Sequence, residues 1–301
     1  MARFSTSFSA FLAACLGIAL FCVMDTLMKG LVIAIGVYNA LLWRSLAGTV
    51  LSAGLFAALR APLPSRAVLG LHLQRGTVIS GMALLWFWSL EFLPLAEAIA
   101  LSFISPLIAL YLAAVLLKER IGRAAIVASL LGFSGVAVML GARLSAARPD
   151  VDGLWGAAAV FGSALLYAYN LILARRQAQI ARPAEIALFM NGTMTALFAL
   201  AAPWLGMIPA AEHWPALLWG AALALVSLLL LSWAYARAEA QILIPVEYTG
   251  FVWLALLGWA VFGERLTAPV LTGAALIVTG CLIAARASQR PGMRQAEEAI
   301  A

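Results

Sequence analysis

The stretch VLLKERI at residues 115–121 recurs in altered form as AVFGERL at residues 260–266. In each stretch an apolar run ends at a Glu-Arg pair, and a second apolar run follows. The two glutamates, Glu119 and Glu264, are 145 residues apart in a chain of 301 residues. Because the same ending occurs twice, half a chain apart, we infer that the chain is built from two related halves.

The composition is that of a protein surrounded by lipid. Apolar residues make up 65% and charged residues 11%, whereas soluble domains contain roughly 45–50% and 25%. The apolar runs are about 20 residues long, which is the length at which a helix crosses a bilayer, while a spanning strand needs only about 10 residues. The sequence therefore predicts an all-α integral membrane protein. Its ten transmembrane helices are expected at residues 9–28, 37–59, 76–93, 96–117, 122–142, 153–174, 183–204, 215–236, 243–262 and 267–286.

The distribution of Lys and Arg predicts the orientation of the chain, since cytoplasmic loops are enriched in these residues. An even number of spans places both termini on one side of the membrane. With that side cytoplasmic, 14 of the 19 Lys and Arg residues are cytoplasmic, four are external, and Arg44 lies within the second span. This topology accounts for the net charge of +6 without a nucleic-acid partner. It predicts a multi-pass membrane protein with both termini in the cytoplasm.

Aligning the chain with itself at an offset of 145 residues brings further features into register, including Gly17 with Gly162 and Trp88 with Trp233. Five spans are an odd number, so the two halves would insert in opposite directions. Such inverted repeats are typical of transporters that work by alternating access. The predicted organisation is a cytoplasmic N-terminus (1–8), a first five-helix repeat (9–142), an outer linker (143–152), a second five-helix repeat (153–286) and a cytoplasmic tail predicted to be disordered (287–301).

Each half closes its fourth predicted helix with a charged signature, Lys118-Glu119-Arg120 in the first half and Gly263-Glu264-Arg265 in the second. On these motifs and the ten-helix pattern, the chain resembles the EamA family of the drug/metabolite transporter superfamily, although Lys118 departs from the commoner Gly-Glu-Arg. The length and the aromatic third and eighth helices are most similar to the YddG-type amino-acid exporters. The resemblance implies a basket-like arrangement of helices with a central cavity lined mainly by helices 1, 3, 4, 6, 8 and 9. It also implies a secondary transporter that exports amino acids of broad range, aromatic and other neutral ones included, across a bacterial inner membrane.

Helical spacing selects the residues expected to face that cavity, because side chains at positions i, i+3, i+4 and i+7 share one face of a helix. The offset maps Ser102 onto Glu247 and Ser105 onto Gly250, which predicts that these faces line one cavity from opposite halves. The alternative is that such residues join helices to one another, as small and polar residues do in membranes. The cavity candidates are Val78, Met82, Trp86, Ser102, Ser105, Ser163, Tyr167, Asn170, Ser227 and Glu247.

Charged residues inside spans are costly and mark candidate functional groups. Glu247 is a candidate for attracting a substrate ammonium group or for carrying a coupling proton. Asp25 and Lys29 are four residues apart, the spacing of an intrahelical ion pair. Arg44 is interpreted as a structural residue that pairs within the protein or extends toward the membrane surface.

A second set of residues stands at predicted helix ends and breaks, where a hinge or gate would act. Proline within or at the start of a span frees backbone groups, so it indicates either a hinge or a fixed kink. A Glu-Arg pair at the end of a span indicates either a gate or a boundary anchor. The hinge and gate candidates are Pro106, Pro245, Glu119, Arg120, Glu264 and Arg265.

The charge content also limits the substrate. Lys29 and Arg44 are the only cationic candidates for the cavity, so a polyanion such as a phosphorylated sugar is not expected. Asp25 lies too near the end of its span to suit a multidrug-like cation carrier. Aromatic and thioether walls suit a small, net-neutral, amphipathic molecule, which the resemblance makes an amino acid. The alternative is another small amphipathic metabolite or a drug-like cation.

Other function classes are weakly indicated by the sequence. The chain has two histidines and lacks an H-E-x-x-H, a D-D-x-x-D or a Gly-rich phosphate loop, so we expect no enzyme, no cofactor and no metal. A channel or scaffold is a third class, for which no filter motif is found. The expected partners are an amino-acid substrate and the lipid bilayer, while the direction of flux, proton coupling and the oligomeric state stay open.

Overall fold

In the computed structural model, the described residues are 2–60, 63–105, 107–108, 123–144, 151–178, 180–235, 237, 246–280 and 282–283. All regular structure within these residues is helical. The elements are α1 (Ala2–Ala58), α2 (Arg66–Ser89), α3 (Leu95–Ser102), α4 (Arg123–Leu144), α5 (Val151–Ala178), α6 (Pro183–Leu205), a 3-10 turn (Ala211–His213), α7 (Trp214–Tyr235), α8 (Thr249–Phe262) and α9 (Ala268–Gly280). Five helical stretches are long and apolar enough to cross a membrane, at Ser9–Ala58, Arg66–Ser89, Val151–Ala174, Pro183–Leu205 and Ala211–Ala234.

Helix α1 consists of two arms that fold back on each other at Gly36. This residue has φ 76° and ψ 154°, a left-handed conformation that glycine adopts without steric cost. Gly220 of α7 faces both arms, because a Cβ there would lie 3.9 Å from Met28 Sδ and 3.9 Å from Arg44 Cδ. In one straight helix, Met28 and Arg44 would be about 24 Å apart. The first arm (2–35) and the second arm (37–58) are therefore antiparallel neighbours.

The helices of the two halves pack against each other in matching pairs. The first arm packs on α7 as α2 packs on α5, and the second arm packs on α6. A Cβ on Gly17 would lie 3.0 Å from Leu231 Cγ and 3.5 Å from Leu230 Cβ, while one on Gly162 would lie 2.9 Å from Leu85 Cδ1. The offset of 145 residues relates Gly17 to Gly162 and Leu230 to Leu85. The same close approach thus occurs twice, once in each half.

The ring contact between Phe103 and Tyr248 lies where the halves meet. These two residues are related by the same offset of 145, and their rings stand edge to face with centroids 5.1 Å apart. Residues that are equivalent by symmetry touch only at the symmetry axis. An approximate two-fold axis therefore passes between Phe103, just after α3, and Tyr248, just before α8.

The buried core is continuous across the two halves. It is apolar, and it contains residues from most of the helices that cross between the ends of the bundle. Fully buried members include Met24, Met28, Leu41, Leu101, Val160, Leu217, Leu254 and Ile277. One end of the bundle carries the turn at Gly36 and is called the Gly36 end, and the opposite end carries the N-cap Ser65 and is called the Ser65 end.

The structure corrects one predicted helix start. Helix α2 begins at Arg66, where the Ser65 hydroxyl accepts a hydrogen bond from the Val68 amide at 3.5 Å, and not at residue 76. The predicted span left residues 66–75 outside the membrane helix. His72 and Arg75 nevertheless lie within the helix, because both are partnered by side chains of the second half.

The crossing of α4 with α9 gives a test of this packing. A Cβ on Gly135 would lie 2.5 Å from the carbonyl oxygen of Gly273, while one on Gly141, also in α4, would have no atom within 4 Å. We expect Gly135→Ala to lower the free energy of unfolding in detergent by about 1–3 kcal/mol, since a backbone must shift. Gly141→Ala is the matched control and should be neutral or slightly stabilising. Equal effects of the two substitutions would contradict the close crossing.

Candidate functional site

Three groups of polar side chains are buried in the bundle: one between the halves at the Gly36 end, one within α1 in the middle, and one between the halves at the Ser65 end. At the Gly36 end, Lys29 Nζ lies 2.5 Å from Glu264 Oε1 and donates to the carbonyl of Leu93 at 2.7 Å. The other carboxylate oxygen, Oε2, accepts from the backbone N–H of Leu95 at 2.8 Å. This group is called the Gly36-end closure, and it joins α1, the start of α3 and the residue pair after α8.

The backbone conformation of the Gly-Glu-Arg motif positions Glu264 for this closure. Gly263 has φ 67° and ends α8 in a left-handed turn, in which the N–H of Glu264 donates to the Gly258 carbonyl at 3.1 Å. The turn brings the Glu264 carboxylate back along α8, where it passes so close to Gly258 that a side chain there would collide with it. Arg265 stays exposed. In the Glu264-Arg265 sequence, it is thus Glu264 that contacts the other half.

The predicted pair of Asp25 with Lys29 is wrong in this structure, because Lys29 binds Glu264. Asp25 instead accepts from Trp86 Nε1 at 3.4 Å and interacts electrostatically with Arg44. Asp25 is 5% exposed and Arg44 is 7% exposed. Asp25 and Arg44 are called the central charge pair, and they sit on the two arms of α1.

The guanidinium of Arg44 has weak partners. Its Nη2 donates to Met194 Sδ at 3.6 Å, and its carbon Cζ lies 5.9 Å from the centre of the Phe87 ring. Among the described residues, Arg44 Nε is buried without a hydrogen-bond partner, and so is Ser227 Oγ. A guanidinium carries five N–H donors, so most of the capacity of this one is unused.

At the Ser65 end, side chains of α2 are bonded to side chains of α5 and α6. His72 Nε2 lies 2.8 Å from Glu185 Oε1, and His72 Nδ1 lies 2.5 Å from Gln177 Nε2. Arg75 Nε donates to Asn170 Oδ1 at 2.9 Å, and its Nη1 donates to Gln177 Oε1. These five residues are called the Ser65-end closure, and they again join the first half to the second.

The hydrogen-bond directions in this closure determine one another. Arg75 has only donors, so the atom of Gln177 that faces it must be the carbonyl oxygen, and the amide nitrogen must face His72. His72 Nδ1 is then an acceptor, and Nε2 carries the hydrogen donated to Glu185. The ring also stacks on Phe189 with centroids 4.9 Å apart. The structure thus assigns His72 to the Nε2–H tautomer.

One predicted cavity residue, Asn170, belongs to the Ser65-end closure, where it accepts a hydrogen bond from Arg75. Sequence reasoning missed His72, Arg75, Gln177 and Glu185, which complete this group. Gln177 could have been found from the sequence, because it continues the polar helix face of Ser163, Tyr167 and Asn170 at the same helical spacing.

Other predicted cavity residues make contacts between or within helices. Ser163 Oγ donates to the Met82 carbonyl at 3.0 Å, which joins α5 to α2. Ser102 and Ser105 donate to carbonyls of their own segment, at Ile99 and Ser102. Gly250 packs against the first arm, where Cys22 Sγ lies 3.7 Å from its carbonyl.

The remaining candidates differ in their surroundings. Val78, Met82 and Trp86 are half-buried on α2, and Glu247 is half-buried just before α8. Ser227 is fully buried on α7. The candidates Pro106, Glu119, Arg120 and Pro245 lie outside the described residues.

A helical bundle made of two related halves is typical of membrane transporters. The model of the EamA-like transporter family matches residues 8–141 and again residues 154–286. The chain belongs to this family, and the repeat inferred from the two Glu-Arg stretches corresponds to its two matches. Members of the family are membrane transporters.

Two curated relatives are named for different substrates. A riboflavin transporter of Rhizobium johnstonii is 29% identical over 238 residues, which cover 78% of this chain and 74% of the relative. The pseudopaline exporter CntI of Pseudomonas aeruginosa is 28% identical over 282 residues, covering 92% and 96%. The family match confirms the expected family. Neither relative is an amino-acid exporter by name, so these relatives do not support the finer similarity to YddG-type exporters.

A solved crystal structure supports the fold. It superposes on 94% of this chain and 98% of its own chain with a TM-score of 0.59 at 23% identity. At this identity the likeness concerns the fold alone.

The ion pair in the Gly36-end closure can be tested by stability. Removing one member leaves a buried charge unpaired, so we expect Lys29→Met or Glu264→Gln alone to cost about 3–5 kcal/mol of unfolding free energy. The double variant should cost clearly less than the sum, since neither charge is then left alone. Arg265→Gln, next in sequence and exposed, is the control and should change stability by less than about 0.5 kcal/mol. Additive effects would contradict the pair.

The tautomer of His72 can be read from nitrogen chemical shifts of ring-labelled histidine. The chain has two histidines, so His213→Asn leaves a single signal. We expect the shifts of an Nε2–H tautomer in the otherwise native protein. Gln177→Leu leaves Glu185 as the acceptor of Nε2–H and should keep this tautomer, whereas removing both partners in Gln177→Leu/Glu185→Leu should release the preference. An Nδ1–H tautomer in the native protein would contradict the assigned network.

Proposed function

We propose that this protein is a secondary transporter that moves a small amphipathic organic metabolite across the bacterial inner membrane by alternating access. The observation that carries the proposal is the presence of two polar closures at opposite ends of a bundle with approximate two-fold packing. Each closure joins the first half to the second, Lys29 with Glu264 at one end and His72 with Glu185 at the other. Separating the halves at one end would break one closure and leave the other intact.

The proposal assigns ten transmembrane helices to the chain. The two arms of α1 and the eight helices α2–α9 each correspond in order to one predicted span. Both termini and the Ser65 end are then cytoplasmic, and the Gly36-end closure faces outward, in agreement with the bias of Lys and Arg. In this arrangement the halves are inverted repeats, so the conformation of one half can be exchanged with that of the other during transport.

The substrate class follows from the relatives and from the interior. One relative is named for riboflavin and another for pseudopaline, so the alternative of a small metabolite other than an amino acid is better supported than export of amino acids. Trp86, Phe87, Met28 and Met194 supply the aromatic and thioether groups that suit an amphipathic molecule. Amino acids stay the second candidate, because Asp25 and Arg44 place opposite charges near these groups.

Flux into liposomes that contain the purified protein tests the proposal. The probes are labelled riboflavin, L-phenylalanine and L-leucine, each with unlabelled riboflavin, pseudopaline and amino acids as competitors. We expect saturable entry of at least one probe, accelerated when the liposomes are preloaded with the unlabelled compound, because a carrier returns faster when loaded. Liposomes without protein are the control. Flux that does not saturate and is not accelerated by preloading would indicate a channel and contradict alternating access.

A further inference from the structure

We propose that an anionic phospholipid binds at the Ser65 end of the bundle, with an acyl chain in a groove between the first arm of α1 and α7 and with its phosphate at Arg237. This ligand is not the transported substrate, so the proposal holds or fails independently of the transport mechanism. In the orientation proposed above, the lipid belongs to the cytoplasmic leaflet.

The first observation is an apolar groove on the outer surface of the spanning helices, called the α7 groove. It has a volume of about 480 Å³, and its lining consists of Ser9, Ala13, Val226, Leu229, Leu230 and Trp233. On α7 the lining extends from Val226 to Trp233, which is about 10 Å along the helix axis. Spanning helices are tilted only about 20° from the bilayer normal, so the groove has nearly the direction of an acyl chain.

The groove forms where two helices cross closely. Beneath it lies a small buried cluster that includes Ala10 and Ala14 of the first arm and Ala234 of α7. Small residues let helix backbones approach each other in membranes. Ala13 is short as well, and beside the Trp233 ring it leaves a space that the protein does not fill. A chain in this space would contact the first half and the second half at once.

The second observation is a cation at the end of the groove. Arg237 Cζ lies 4.4 Å from the centre of the Trp233 ring, and Arg237 Nη1 donates to the Trp233 carbonyl at 3.3 Å. Because a cation is attracted to the face of an indole ring, Trp233 holds the guanidinium beside the groove that it lines.

The guanidinium of Arg237 has donors to spare for a phosphate. Arg237 is exposed, and within the part of the chain that the structure describes, no Asp or Glu forms a salt bridge with it. A guanidinium has five N–H donors, and the Trp233 carbonyl takes one of them. Two parallel hydrogen bonds to a phosphate are therefore available.

The apolar and the charged part of this site lie at the depths of the matching parts of a phospholipid. The apolar stretch that includes α7 ends at Ala234, and Arg237 follows three residues later. Trp residues are enriched at the membrane–water interface, so Trp233 marks that level. The guanidinium thus lies among the head groups, while Val226 lies at the depth of the acyl chains. Basic residues at the cytoplasmic surface attract anionic lipids.

A helix cap alone does not account for this arrangement. Cations are favourable at helix C-termini, where they bind the last carbonyls, and Arg237 does bind the Trp233 carbonyl. That role needs one donor and no groove. A groove beside α8 provides a contrast, because Glu264 lines it together with Arg265. An anionic head group there would meet a carboxylate as well as a guanidinium.

The test counts the lipids bound to the purified, delipidated protein by native mass spectrometry. The probes are dioleoyl phosphatidylglycerol, which is anionic, and dioleoyl phosphatidylcholine, which has the same chains and no net charge. We expect the first phosphatidylglycerol to bind about 5-fold more tightly than the first phosphatidylcholine, from the attraction of one Arg to an anionic lipid. Equal affinities would overturn the proposal.

Substitutions of Arg237 locate the preference. Arg237→Gln should abolish most of it, and Arg237→Lys should retain part of it, because Lys keeps the charge without the planar fork of donors. The matched control is Arg66→Gln, which removes an exposed Arg at the same end of the bundle and should leave the preference intact. Full preference in Arg237→Gln, or equal loss in both Gln variants, would contradict a site at Arg237.

Filling the groove tests the position of the acyl chain. Val226 is 44% exposed, so Val226→Trp can occupy the groove without disturbing the core, and it should weaken binding of the first phosphatidylglycerol. Leu218→Trp adds the same ring to α7 at a position that is 51% exposed and outside the groove lining, and it should not. Unchanged binding in Val226→Trp would overturn the groove as the lipid site.

A soluble head group separates a lipid site from a site for free phosphate esters. Glycerol 3-phosphate carries the phosphate without acyl chains, so at equal concentration it should not displace phosphatidylglycerol. Displacement would show that the guanidinium alone binds phosphate esters, and it would contradict the lipid as the occupant.

Discussion

Lipid offers neither hydrogen bonds nor counter-charges, so each charged group that this chain carries into the membrane must find its partner within the protein. At the two ends of the bundle, the partners come from the opposite half. Lys29 of the first half binds Glu264 of the second, and His72 and Arg75 of the first half bind Glu185, Gln177 and Asn170 of the second. The contacts that hold the halves together at the two ends are thus the same contacts that opening of either end would break.

The middle of the bundle differs from its ends in how well its charges are satisfied. The Gly36-end closure uses both oxygens of Glu264, and the Ser65-end closure uses both ring nitrogens of His72. Arg44 has one sulfur acceptor and an unpartnered Nε. Unused hydrogen-bonding capacity is expensive in a low dielectric. Arg44 in the middle of the bundle is thus less well satisfied than the charged groups at either end.

Much of the architecture could be read from the sequence, because bilayer thickness imposes the length of a span and the inverted repeat imposes a pairing of residues. The offset that aligned Gly17 with Gly162 reappears as the same close helix contact in each half, and it brings Phe103 and Tyr248 together at the axis. The start of α2 was misplaced by ten residues. Charge indicated a boundary there, but His72 and Arg75 are held inside the helix bundle by partners more than 90 residues away.

The sequence by itself determined the solvent, the helical class, the two related halves and the family, since these depend on composition, run length and local motifs. Only the tertiary structure decided which charge meets which. Asp25 and Lys29 have the spacing of an intrahelical pair, yet Lys29 binds Glu264 and Asp25 accepts a hydrogen bond from Trp86. Helical spacing shows which side chains can share a face. Inside a membrane, a charged side chain pairs with the opposite charge that the folded bundle brings close to it. The distance between two such charges is set by packing between residues far apart in the chain.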